Sequence, residues 1–169
     1  MVTIPFGISL KAYGSEYHLR KGLVNELRLF HIGAMDWKPN MEGVSWFIEE
    51  VWPSVLKEFP DLELHIAGRA MPNWLIEKEV PGMINHTEVE SAQDFMLSND
   101  IMIVPLLSAG GMRVKIIEGM ALGRVIISTT IGAEGIDYKD GENILIADNA
   151  REFNDKLSWL KCSPATVII

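Results

Sequence analysis

Two cations and a carboxylate follow a glycine pair in this chain: Gly110 and Gly111, then Arg113, Lys115 and Glu118. Glycines let backbone N–H groups approach an anion closely. A helix opening near Met112 would add unpaired N–H groups and the positive end of its dipole. A phosphate suits such a place, and a departing pyrophosphate needs its charge neutralised, which Arg113 and Lys115 can do. The same features also describe a plain turn before a solvated helix. Glu118, set among Ile116, Ile117, Met120 and Ala121, either faces water or accepts hydrogen bonds from paired hydroxyls such as those of a ribose.

Three other segments offer polar groups. Gly33 ends an apolar run, Gly68 and Arg69 end the next, and Thr129 lies in the hydroxyl- and glycine-rich stretch 128–135. Arg69 could reach a base or a phosphate, or be a surface arginine; the 128–135 stretch could border a ligand or be a polar loop. His18, His31, His65 and His86 have no carboxylate or cysteine at ligand spacing, so they read as core or surface histidines and no metal site is expected. Cys162, the single cysteine, has no internal disulfide partner. No dinucleotide fingerprint, phosphate-binding P-loop or nucleophile elbow is present.

The elements that would position these groups follow from hydrophobic periodicity. Short, nearly all-apolar runs at 28–32, 62–67, 82–85, 101–105, 125–128 and 143–146 read as strands covered on both faces. Helical spacing between them gives βα units on a parallel sheet, an α/β Rossmann-like, doubly wound fold of about six strands. Val44, Phe47, Ile48, Val51, Val55 and Leu56 mark one helix, started near Pro39 or Asn40 and kinked at Pro53. Further helices are predicted at 74–78, 92–97, 112–122 and 150–160. With strand order 3-2-1-4-5-6 the order reverses between the first and fourth strands. The loops 33–38 and 106–111 then face each other across the ligand crevice, with Trp37 the one tryptophan there.

The chain has 169 residues, 48% hydrophobic and 22% charged, enough for one packed domain. A net charge of −8 without a basic cluster argues against nucleic acid as a partner. No apolar run reaches the ~18 residues of a membrane span and no signal peptide is apparent, which makes a cytoplasmic setting the expectation. Residues 1–25 read as an arm, 26–160 as the domain, and 161–169 as a tail.

The run 105–129 resembles the donor-site segment of family 4 glycosyltransferases of the GT-B fold, P-x-x-x-G-G-G-x-R-x-K-x-x-E-A-M-A-x-G-x-P-V-V-x-T in one branch. In register with it, residues 33–40 are similar to that branch's G-x-M-x-W-x-P-N, 66–69 to I-x-G-R, 131–135 to I-G-A-E-G and 140–143 to D-G-x-N. The resemblance implies that Glu118 accepts the ribose hydroxyls of a UDP-, GDP- or ADP-sugar. Arg113 and Lys115 would face the diphosphate, and Gly110 and Gly111 would let the donor approach. It also implies retention of anomeric configuration, with no metal or other cofactor.

Departures from the pattern are specific. Gly110 stands where the wider family often has a second Glu, Ala34 where an Arg is common, and Gly119 where Ala is usual. The arm at 4–8 resembles the linker between the two GT-B halves, so an acceptor-binding N-terminal domain is expected beyond this chain, which alone would not turn over. That domain would take a sugar, glycan or lipid-linked acceptor, the last bringing the whole protein to the inner face of a membrane. A GT-B-like nucleotide-sugar epimerase half and a non-enzymatic regulatory domain are the alternatives.

Overall fold

The computed structural model describes residues 27–108 and 110–162. The arm at 1–25, most of the expected tail and Ala109 lie outside the described residues. Six strands, β1 (Arg28–Ile32), β2 (Glu63–Ala67), β3 (Met83–Thr87), β4 (Ile101–Val104), β5 (Val125–Ser128) and β6 (Leu145–Ile146), form one sheet. The order is β3-β2-β1-β4-β5-β6 and every pairing is parallel. This is the doubly wound order expected, with its reversal between β1 and β4.

Side chains alternate between two apolar layers, as strand geometry requires. Leu29, Leu64, Ile66, Ile101 and Ile103 face a core closed by Phe47, Val51, Trp52 and Phe153. Phe30, Met102, Val104 and Ile126 face a second one closed by Phe95, Met96 and Ile116. All four residues of β4 are buried, whereas the edge strand β3 has no fully buried residue.

The long first helix is interrupted as Pro53 predicts, but by a change of register. Helix α1 (Lys38–Trp46) passes into a π turn at Phe47–Val51 and then α2 (Trp52–Glu58), with Pro53 in the first turn of α2. A proline has no N–H and its ring clashes with the carbonyl four residues back. One wider turn, in which the Trp52 N–H bonds to the Phe47 carbonyl, removes the conflict. The later helices are α3 (Asn73–Glu77), α4 (Ala92–Leu97), α5 (Val114–Ala121) and α6 (Ala150–Cys162). Helix α4 is capped by Ser91, whose hydroxyl accepts the Asp94 N–H. Helix α5 starts two residues later than 112, because Arg113 is extended at φ −90°, ψ 95°. Helix α6 runs two residues into the segment expected to be tail.

The β1–β4 ladder is short. It has two paired positions against five between β1 and β2. Beyond them the fully buried His31 side chain enters the gap, Nδ1 lying 3.1 Å from the Ile103 carbonyl oxygen. Only an N–H can bond there, so Nδ1 carries the proton and donates it.

Helix α1 sits close to the end of β4, since a Cβ on Gly43 would collide with the Pro105 carbonyl oxygen. Gly119 in α5 is different: an added Cβ would meet the terminal methyl of Met102 at 2.8 Å, a group able to move. Gly43→Ala should therefore cost about 1–3 kcal/mol by overpacking. Gly119→Ala should stay within about 1 kcal/mol of the parent, because better helix propensity offsets the crowding. Urea unfolding midpoints decide the matter, and equal midpoints for the two variants would contradict the tight seating of α1.

Candidate functional site

The crevice at the strand-order reversal is floored by one ammonium group. Lys115, in the first turn of α5, reaches across the end of β1 and donates to the Ile32 carbonyl at 3.1 Å and to Asn40 Oδ1 at 2.9 Å. Asn40 is 5% exposed and also donates from Nδ2 to the Ala34 carbonyl at 2.9 Å. It thus ties the loop after β1 to the lysine. Gly33 has no room for a side chain, since a Cβ would lie 2.5 Å from Asn40 Nδ2 and 3.1 Å from Lys115 Nζ. Gly68 is excluded from any substitution by the Gly33 carbonyl oxygen, which its Cβ would strike. Both glycines therefore set the shape of the floor.

Burial, and secondly the charge of Arg113, lower the Lys115 pKa to about 7. His31 is held well below its usual value by burial and by Lys115, against a smaller opposite effect of its Ile103 bond. It stays neutral beneath the floor.

Arg113 forms the wall. It is 6% exposed, and its Nη1 donates to the Gly110 carbonyl at 2.9 Å and to the Gly111 carbonyl. The guanidinium carbon lies 5.5 Å from the centroid of the Trp37 ring. Nε and Nη2 are buried with no hydrogen-bond partner among the described residues. Desolvation lowers its pKa, while Glu134 acts in the opposite sense. Gly111 has φ +80°, a conformation glycine adopts readily, and open space lies above both glycines. Among the described residues no side chain caps α5, so its first N–H groups keep the polarity that favours an anion. Met112 is half-buried beside Gly135 and joins this loop to the one after β5.

Thr129 is 2% exposed, and its hydroxyl donates to the Leu106 carbonyl at 2.6 Å and accepts the Gly132 N–H at 3.0 Å. Its hydroxyl thus braces the loop after β4 against the one after β5. Arg69 is brought to Asp36, 3.8 Å away, with both side chains mostly exposed, rather than to Arg113 or Lys115. Such a surface pair contributes little.

Glu118 opens on a cavity of about 290 Å³ between α4 and α5, lined also by Ser91, Gln93, Met96 and Leu122. Mixed walls, with Met96 and Leu122 beside the polar Ser91, Gln93 and Glu118, suit a flat, hydroxyl-bearing group. The histidines on the neighbouring strands bond to one another: His65 Nδ1 is 2.8 Å from His86 Nε2, and His65 Nε2 is 3.2 Å from Glu63. Among the described residues no group of three His, Cys, Asp or Glu is placed to hold a metal ion.

Asn40 is the site residue that spacing did not mark; Trp37 was placed at the crevice by its loop, without a role. Asn40 reads from the sequence as a helix start, and only the run of similarity at 33–40 pointed to anything more.

Solved structures with the same fold include TarM, with TM-score 0.66 and 18% identity over 87% of this chain and 30% of that one. Another is Anabaena Alr3699/HepE in complex with UDP-glucose, with TM-score 0.65 and 13% identity over 95% of this chain and 48% of that one. The C-terminal domain of LpcC from Francisella tularensis aligns with TM-score 0.60 and 19% identity over 91% of this chain and 87% of that domain. A Klebsiella pneumoniae relative, described as an uncharacterized 44.6 kDa protein in the cps region, is 29% identical over 136 residues, 75% of this chain. The chain spans 35% of that relative's length. Residues 26–161 match the model of the glycosyl transferases group 1 family, and the chain belongs to that family.

Proposed function

We propose that this chain is the donor-binding half of a retaining, metal-independent glycosyltransferase that moves a hexosyl group from a nucleotide diphosphate to a glycan or lipid-linked acceptor. The observation that carries the reading is Arg113. A cation with two buried nitrogens that have no partner among the described residues, beside a second cation and a helix start that none of those residues caps, is a site that a diphosphate would complete. Lys115 and the α5 amides would stabilise the departing diphosphate. The ribose would bind Glu118 and the base would lie in the cavity toward Gln93. UDP is the first candidate, because similar folds have been solved with UDP and with UDP-glucose; GDP and ADP are the alternatives. The acceptor groups belong to the rest of the protein, so this chain alone binds donor without turnover.

Calorimetry with UDP, GDP and ADP tests the reading. Glu118→Ala should weaken binding of the preferred nucleotide at least about tenfold, the usual cost of losing hydrogen bonds to a charged acceptor. Unchanged affinity would remove Glu118 from the ribose site. In the full-length enzyme, an intact sugar moved to an acceptor with release of nucleoside diphosphate separates a transferase from an epimerase.

Lys115 makes binding depend on pH. Its pKa is about 7 in the empty site, and an anion binds the ammonium form, which raises that value. UDP-glucose has no phosphate group titrating near neutrality, so its affinity should be level below about pH 7 and fall above it, by up to about tenfold per unit. Lys115→Met should bind weakly at neutral pH and lack this slope. The same slope in that variant would assign the titration elsewhere.

A further inference from the structure

Arg113 carries the charge that donor binding needs, yet its guanidinium is closed off. Nη1 is held by the two glycine carbonyls, and Nε and Nη2 are buried without a partner among the described residues. Burying cationic N–H groups unpaired is costly, and a phosphate cannot reach them unless a neighbour moves. Trp37 is the neighbour placed to do so. Its ring covers the guanidinium at 5.5 Å and the residue is 38% exposed; its backbone is held at the start of α1 by the Asn40 and Met41 N–H groups, whereas its side chain makes no capping hydrogen bond. The helix behind it is fixed by the Gly43–Pro105 approach, so the ring can leave while α1 stays.

We infer that Trp37 gates the diphosphate subsite: its indole rests on Arg113 when the subsite is empty and swings away when a nucleoside diphosphate enters. Nε and Nη2 of Arg113 then donate to the phosphate oxygens. A cation–π contact at a partly exposed ring is weaker than charge-assisted hydrogen bonds to phosphate, so the exchange runs toward the ligand. The inference rests on the donor-site reading above. It adds to it a residue that opposes binding in the parent chain.

Titration with UDP, followed by tryptophan emission and by calorimetry in parallel, tests the gate. The parent should change emission with the same midpoint as the heat. Trp37→Phe should bind UDP with that change lost, because Trp46, Trp52, Trp74 and Trp159 lie on other elements. Trp37→Ala, with circular dichroism confirming the fold, should bind UDP about two- to fivefold tighter, since the closed state no longer competes. Heat without an emission change in the parent, or weaker binding by Trp37→Ala, would overturn the gate and leave the donor site standing. No heat with UDP, GDP or ADP in any of the three proteins would overturn both.

Discussion

Beyond its second pair the β1–β4 ladder gives way, and the opening is held by two side chains instead of backbone. The His31 imidazole bridges to the Ile103 carbonyl beneath, and the Lys115 ammonium bridges from α5 to the Ile32 carbonyl and Asn40 above. Parallel strands whose connections depart in opposite directions leave a crevice there. In this chain the crevice also has a charged floor. Moving either bridge would shift the loop after β1 relative to α5, and with it the spacing of every group that could touch a ligand.

Glycine supplies the remaining geometry. The loops after β1 and β2 touch through backbone at Gly33 and Gly68, and α1 approaches β4 at Gly43. None of these contacts leaves room for a methyl group. Close backbone seating on both sides of the sheet keeps Lys115 within reach of Asn40, although the two residues come from helices on opposite faces. The placement of Lys115 thus depends on backbone packing at Gly33, Gly68 and Gly43 as much as on its own hydrogen bonds.

The fold was legible because its signals are local and redundant. Nearly uniform apolar runs mark central strands, and β1 and β5 begin and end where those runs do. Pro53 announces a break in the helix, but whether a chain bends or adds a π turn depends on what the flanking residues bury; here Phe47, Ile48 and Val51 all stay in the core. The site was legible in its charges and glycines and obscure in its partnerships. Asn40 and Lys115 are far apart in sequence, and periodicity has no way to pair them. Thr129 shows the converse: a hydroxyl after a strand suits a ligand equally well in sequence, and only its two internal bonds reveal a strut.

The pairing of Arg113 with Lys115 illustrates why two cations two residues apart need not be equivalent. A guanidinium keeps its charge through almost any burial, whereas an ammonium gives up its proton when water is withdrawn. In the empty site Lys115 is therefore the group that yields, its pKa lowered by desolvation and by Arg113. A diphosphate bound as proposed would oppose the lowering, since its negative charge favours the ammonium form of Lys115 and its oxygens accept from Arg113. Arg113 keeps its charge throughout, so the charge that varies near neutrality is that of Lys115. In this way two basic side chains can stand close together at the start of α5 in a folded chain.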